Sequence, residues 1–329
     1  MRKLEIVTPV FNDWESFSAL LKNIDIACQD LDCAVSVLAI DDGSTDPAPE
    51  MGRPDDAYAT LQAVEIVHLS VNVGHQRAIA IGLAVAAQDG DADAVLIMDA
   101  DGEDRPEDIA RLVAAAQGQQ DFVIVAERRR RNERVTFKIF YHLYKMFFKL
   151  LTGKLISFGN FSLISKSYVG RLVLVPDLWN HLPAAVMRSR LPIRRIPIDR
   201  GRRYAGSSKM NYVSLMVHGL SGISVYSDMI FVRMLIATLG LLAIGVPVIL
   251  AVMIIRLFTD LATPGWATTV SFGVLMILAQ AIVSTITAAL LLLNNRSQKS
   301  VIPAVDYKDF LLSRRFLFQQ QEQVRARVR

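Results

Sequence analysis

Cysteine is nearly missing: in 329 residues there are only Cys28 and Cys33. One pair supplies too few ligands for a structural zinc site, and reduced cytosolic thiols are the expectation. No Gly-x-Gly-x-x-Gly run follows the first apolar segment, which weakens a dinucleotide-binding assignment. No nucleic-acid motif accompanies the net charge of +4, so the basic balance points to anionic headgroups or phosphates and not to nucleic acid. Charge itself is absent from Met234 to Ile255 and from Val270 to Leu293, runs of 22 and 24 residues. Each is enough to cross a hydrocarbon core of ~30 Å. Burial inside a soluble core is the alternative.

What is present begins with alternation. "KLEIVTPVF", "AVSVLAIDDGSTD", "AVEIVHLS", "DAVLIMDAD" and "DFVIVAERR" read as five strands. Helices fall between them: Phe17, Leu20, Leu21 and Ile24 recur at helical spacing behind an Asn12 or Asp13 cap, and Ala78 to Ala87 follows "NVGHQ". The pattern is that of an α/β protein with a mainly parallel sheet. Ligands in such sheets bind at the carboxyl ends of the strands, so the acids after strands two and four should meet in one crevice.

Those acids are dense. From Asp99 to Glu107, "DADGEDRPE" holds five carboxylates in nine positions. Asp99, Asp101 and Glu103 have the i, i+2 spacing that lets carboxylates on a turn face one hard divalent cation, with phosphates as its further ligands. A solvated acidic loop is the alternative. Asp41 and Asp42, closing the neighbouring strand before Gly-Ser-Thr, favour metal plus nucleotide diphosphate. Histidines outside the 135–152 segment lack metal-ligand spacing and are assigned to packing or solvent.

"TPVFND", "AIDDGSTD", "NVGHQRAIAIGLAVA" and "MDADGEDRPED", in this order, resemble family 2 inverting glycosyltransferases of GT-A fold. The later "RGRRYAGSSKMNY" with two spans behind it is similar to the polyprenyl-phosphate members. The resemblance implies that Pro9, Phe11 and Asp13 line the base and ribose and that Asp42 contacts them. It further implies that Asp99, with Ala100 and Asp101, holds the nucleotide-sugar, and that Asp101 and Glu103 bind Mg2+ or Mn2+. Many relatives carry Gln where this chain has Glu103, which leaves one additional negative charge beside the metal.

An anionic acceptor calls for cations. Arg128, with Arg129 to Arg131 behind it, leaves the fifth strand, and Arg200, Arg202, Arg203, Ser207, Ser208 and Lys209 form a Gly-containing loop suited to phosphates. Topological charge is the alternative for both clusters. Asp99, Asp101, Arg128, Arg203 and Lys209 are the candidate catalytic residues. Lys138, His142, Lys145 and Lys149 make one polar stripe on an otherwise apolar segment, about 135–152, that can lie in the headgroup plane or pack against protein.

The expected organisation is a GT-A-type catalytic domain over residues 1–210, an interfacial helix over 211–229, a two-helix membrane hairpin over 230–295 and a basic tail over 296–329. Lys and Arg crowd both outer flanks of the hairpin, while its connecting segment holds one Arg, so both termini and the catalytic domain are expected on the cytoplasmic side of the cell membrane. "MRKLEIVTPVF" turns polar too early for the apolar core of a signal peptide. The expected partners are a nucleotide-diphosphate sugar, a polyprenyl phosphate and the bilayer, with a homo-oligomer left open. A processive synthase would show Gln-x-x-Arg-Trp and more spans. Another glycan or lipid acceptor, and a catalytically silent membrane anchor, remain alternatives.

Overall fold

The computed structural model describes residues 1–49, 58–128, 145–155, 157–205, 212–259 and 263–320, with the backbone alone at 128, 212–215 and 218. They divide into two compact units. The larger comprises 1–142, 155–225 and 301–329, the smaller 143–154 and 226–300.

The larger unit is built on a sheet of eight described strands. In chain order these are β1 (Lys3–Val10), β2 (Ala34–Asp41), β3 (Leu61–Leu69), β4 (Ala94–Ile97), β5 (Val123–Arg128), β6 (Phe158–Ser165), β7 (Ile193–Ile198) and β8 (Leu311–Gln319). The spatial order is β7-β5-β6-β4-β1-β2-β3-β8. The pairs β1–β2, β1–β4, β2–β3 and β5–β7 are parallel, whereas β6 runs against β4 and β5, and β8 runs against β3. The mainly parallel α/β architecture expected from the alternation is therefore the one adopted.

Continuous apolar runs make the central strands, because parallel strands are covered on both faces. Helices α1 (Trp14–Ala27) and α3 (Ile109–Ala116) bury Phe17, Leu20, Leu21, Ile24, Ile109 and Leu112 on one face. On the other face lie α2 (His75–Gln88), α5 (Lys166–Leu172) and α6 (Leu182–Arg188), numbered after the short helix α4 at 145–152. Asp13 is the N-cap of α1, as expected, but its side chain makes no capping bond. Cys28 and Cys33 are free, and burial pushes the Cys28 thiol up to about 12.

The expected separation of a 296–329 tail does not match the chain's arrangement. Helix α10 (Pro303–Asp306) and β8 belong to the sheet-bearing unit, and β8 extends the sheet beyond β3. The pattern in "LLSRRFLFQ" was masked by its two arginines, which suggest a topological flank until β3 is there to pair with them.

The smaller unit holds α4, α8 (Ser227–Phe258) and α9 (Trp266–Ser297). In it Arg233 donates to the Leu150 carbonyl at the end of α4, and the Phe148 and Tyr226 rings meet edge to face at 6.0 Å. Both long helices have the length and composition to cross a membrane, and only 17% and 11% of their most apolar windows are buried, unlike a soluble core helix. Thr238, Gly245 and Val252 on α8 and Leu278 and Thr285 on α9 are the buried positions, at sevenfold spacing. Small residues permit this close approach: a methyl group on Gly245 would lie 2.9 Å from Leu278 Cδ2, and the Thr238 and Thr285 hydroxyls bond at 2.8 Å. Helix α7 (Tyr212–Ser224) falls where the interfacial helix was expected, in the larger unit.

Candidate active site

Register aligns the strand exits. Val10 of β1 pairs with Asp41 of β2, and Val7 of β1 with Ile97 of β4, so the turns at 11–13, 42–46 and 98–104 leave one edge of the sheet side by side. β5 and β7 point the same way, which brings residues after Ile198 to that edge as well.

On one side of this crevice the turns are held by hydrogen bonds. Asn12 adopts φ 48°, a left-handed conformation that Asn tolerates. Its Oδ1 accepts from the amides of Thr45 and Asp46 at 2.8 and 3.1 Å, its own amide donates to Ser44 Oγ at 2.9 Å, and Trp14 Nε1 donates to the Asp46 carbonyl at 3.0 Å. Asp41 is 5% exposed: its Oδ1 accepts from Ser44 N at 2.9 Å and its Oδ2 lies 2.7 Å from His68 Nδ1. Asp42, assigned by resemblance to base or ribose, is 3% exposed and accepts from the amides of Val73 at 2.7 Å and Gly74 at 3.0 Å. Burial raises its pKa and those two donors oppose the shift. Gly74 sits at φ 92°, a backbone state that favours glycine, and this turns its N–H toward Asp42 before α2 begins. Pro9 is buried and Phe11 is 41% exposed at the crevice rim.

On the other side charges face each other. Asp99 Oδ1 is 3.2 Å from His75 Nε2, and Asn160 Nδ2 of β6 is 2.9 Å from that same ring nitrogen. Asp104, 1% exposed, accepts from the Asp99 amide at 3.0 Å and closes the turn. Asp101 Oδ1 accepts from Glu103 N at 2.9 Å, while Oδ2 pairs with Arg203 at 2.7 Å. Glu103 pairs with Arg200. The backbones touch too: Tyr204 N donates to Asp101 O and Gly201 N to Glu103 O, both at 2.9 Å. Gly102, at φ 87°, has no room for a side chain, since a Cβ would stand 2.8 Å from the Arg202 carbonyl and 2.9 Å from the Tyr204 ring. The acidic turn and the basic loop, expected to serve different substrates, are thus one contact surface.

Asp101 and Glu103 offer the hard oxygen donors that a divalent cation takes, and here arginines occupy them. Burial first, then Asp99 and Glu103, raise the pKa of Asp101, so negative charge here is crowded and calls for a positive partner. Among the described residues no three His, Cys, Asp or Glu side chains are gathered so as to hold a metal ion by themselves.

Arg128 ends β5 on the crevice edge, whereas Ser207, Ser208 and Lys209 of the loop and Arg129 to Arg131 lie outside the described residues, as do Lys138 and His142. Sequence reasoning missed Asn12, His68, His75, Asp104 and Asn160. Asp104 had a signal in its place within the acid run and His75 in its place within "NVGHQ"; His68 had none, because its carboxylate partner is distant in the chain.

The strand-exit acids, the basic loop paired with them and the mainly parallel sheet define an α/β protein with a GT-A-like nucleotide-binding architecture. Residues 5–172 match the model of glycosyl transferase family 2, and the chain belongs to that family. It is 26% identical over 220 residues to undecaprenyl-phosphate 4-deoxy-4-formamido-L-arabinose transferases of Salmonella choleraesuis and Salmonella paratyphi B, a match covering 66% of this chain and 65% of each relative. Among solved structures, glucosyl-3-phosphoglycerate synthase from Mycobacterium tuberculosis, in complex with Mn2+, UDP-glucose and phosphoglyceric acid, aligns with TM-score 0.47 at 13% identity, over 70% of this chain and 80% of that one.

Proposed function

We propose that the chain transfers one sugar, with inversion, from a nucleotide-diphosphate sugar to a polyprenyl phosphate at the cytoplasmic face of the cell membrane. The carrying observation is the direct pairing of the acidic turn with the basic loop through Asp101–Arg203 and Glu103–Arg200. Such a surface can hold a donor diphosphate and an acceptor phosphate against each other, and family membership makes sugar transfer the matching chemistry. The acceptor assignment draws on the undecaprenyl-phosphate relatives and on the two long apolar helices.

In this scheme an acceptor phosphate oxygen bonds to the anomeric carbon as the bond to the donor's diphosphate oxygen breaks, releasing a nucleoside diphosphate. The acceptor is already anionic near neutral pH, so position matters more than a strong base. Asp101 and Glu103 would hold Mg2+ or Mn2+, which supplies charge neutralisation at the departing diphosphate. Arg200 and Arg203, exchanged off the carboxylates, then bind phosphate oxygens. Arg203 Nε, buried without a partner among the described residues, is a donor suited to that task. Asp99 orients the donor, itself held by Asp104, His75 and Asn160. The loops at 11–13 and 42–46 form the nucleotide side.

Incubating the purified protein with a panel of nucleotide-sugars, divalent cations and undecaprenyl phosphate, then identifying lipid products by mass spectrometry, tests this. A glycosyl-phosphate lipid is expected. Release of nucleoside diphosphate onto another acceptor, or no turnover with any donor, would overturn the acceptor assignment or the activity respectively.

A further inference from the structure

β8 does more than cover an edge. Its register places Arg315 opposite Ile66 and Arg314 opposite Val67, so alternation sends the two guanidinium groups to opposite faces of the sheet. Arg314 grips Glu65, with Nε to Oε1 at 2.7 Å, and also pairs with Asp89. Arg315 turns toward the crevice side: Nε donates to His68 Nε2 at 3.2 Å and Nη2 to the Pro49 carbonyl at 3.0 Å.

A guanidinium has donors and no acceptor, so His68 Nε2 must accept. That places the imidazole proton on Nδ1, which donates to Asp41 Oδ2 at 2.7 Å. Asp41 Oδ1 in turn accepts from Ser44 N, and Ser44 Oγ accepts from Asn12 N, each at 2.9 Å. One chain of oriented hydrogen bonds therefore runs from β8 to the two turns assigned to the nucleotide. We propose that Arg315 and His68 are positioning residues for donor binding: Arg315 selects the His68 tautomer, His68 fixes Asp41, and Asp41 fixes the 42–46 turn. The assignment rests on the proposed nucleotide role of that turn. It gives the segment that returns after α9 a part in the crevice.

Arg314 provides the control, because it secures the same strand without touching the relay. Amide hydrogen exchange without ligand, and donor kinetics, should be measured for Arg315→Met, His68→Phe, Arg315→Lys and Arg314→Gln. Exchange at Ser44, Thr45 and Asp46 should accelerate ~10-fold in Arg315→Met and His68→Phe, with donor KM raised ~10-fold and kcat within about twofold, the scale of one lost oriented contact. Arg315→Lys, which keeps a donor for Nε2, should recover most of both effects. Arg314→Gln should lower the melting temperature and leave the turn's exchange unchanged. Wild-type exchange at Ser44 to Asp46 in Arg315→Met, or equal acceleration in Arg314→Gln, overturns the relay. If the wild type binds no nucleotide-sugar, the functional proposal falls with its donor role, and the exchange comparison still decides the relay by itself.

Discussion

The two sides of the crevice are both rich in acids, yet they use them differently. At Asp41 and Asp42 the carboxylates are buried and accept from backbone amides and an imidazole, so each oxygen has a fixed donor. At Asp101 and Glu103 the carboxylates are partly open and pair with arginines from a separate loop. Hydrogen bonds to backbone cannot be exchanged without deforming the turn, whereas an ion pair can trade one cation for another. The first side is therefore a preformed mould and the second a surface that rearranges when charged ligands arrive. Number of acids alone would not distinguish them; their partners do.

Asp101→Asn should break the exchangeable side most completely. It keeps the shape, retains an oxygen for Glu103 N, and removes the charge offered to a cation. Turnover is expected to fall ~10³-fold, the scale for losing a group that stabilises the departing charge, with folding and membrane insertion intact. The mass-spectrometric lipid assay, with excess EDTA on the wild type as a parallel, reads it. Near-full activity in either sample would remove the metal from the scheme.

A pH experiment sharpens the contrast by removing a background at the opposite end of the sheet. Glu5 on β1 has Oε2 buried without a partner among the described residues, and burial, then Glu65 and Asp91, push its pKa up to about 7 from 4.5. A carboxyl with a raised folded pKa favours the fold while protonated. Its contribution is fully present below pH 4.5, declines as pH rises and is gone above about 7. Glu5→Gln should therefore be neutral at pH 4 and stabilise the protein at pH 8 by up to about 3 kcal/mol. Thermal melts across that range check the sign; destabilisation at pH 8 would mean that Glu5 has a charged partner in solution.

Arg203→Gln tests whether the basic loop works on phosphates. It should slow lipid glycosylation by at least ~10-fold, corresponding to one charge-assisted contact. If the loop's charge served only topology, the remaining cations on that flank would preserve the rate. Wild-type kinetics in both Arg203→Gln and Lys209→Gln would return the loop to that role.

Much of the mould was legible in the sequence and much of its fastening was not. The five strands and the acid turn announce themselves through apolar runs and local spacing. β6, β7 and β8 do not: "FGNFSLIS" carries polar residues, and "IRRIPI" and "LLSRRFLFQ" interrupt their apolar residues with paired arginines. Their identity as strands comes from pairing with β4, β5 and β3, a tertiary fact. The same holds for His68, which gains a role only when β2 sets Asp41 beside it. Asn12 was visible as a helix-cap candidate, and competition for its side chain decided otherwise: the Thr45 and Asp46 amides claim Oδ1 while Asp13 takes the cap position.

Asn12 also supplies the smallest and finest test of the mould, because it contributes through both backbone and side chain. Asn12→Gly keeps the left-handed backbone at φ 48° and deletes the bonds to Thr45 and Asp46. Asn12→Ala deletes the same bonds and adds the strain of a methyl-bearing residue in that conformation. Both should loosen the 42–46 turn and weaken donor binding by a similar ~5-fold, since they lose the same contacts. Only Ala should carry an additional stability loss of about 1 kcal/mol, read from denaturant midpoints. Equal stability in the two variants would mean that the turn relaxes once its fastening is cut, and the preformed side of the crevice would then be held by these bonds and not by backbone conformation.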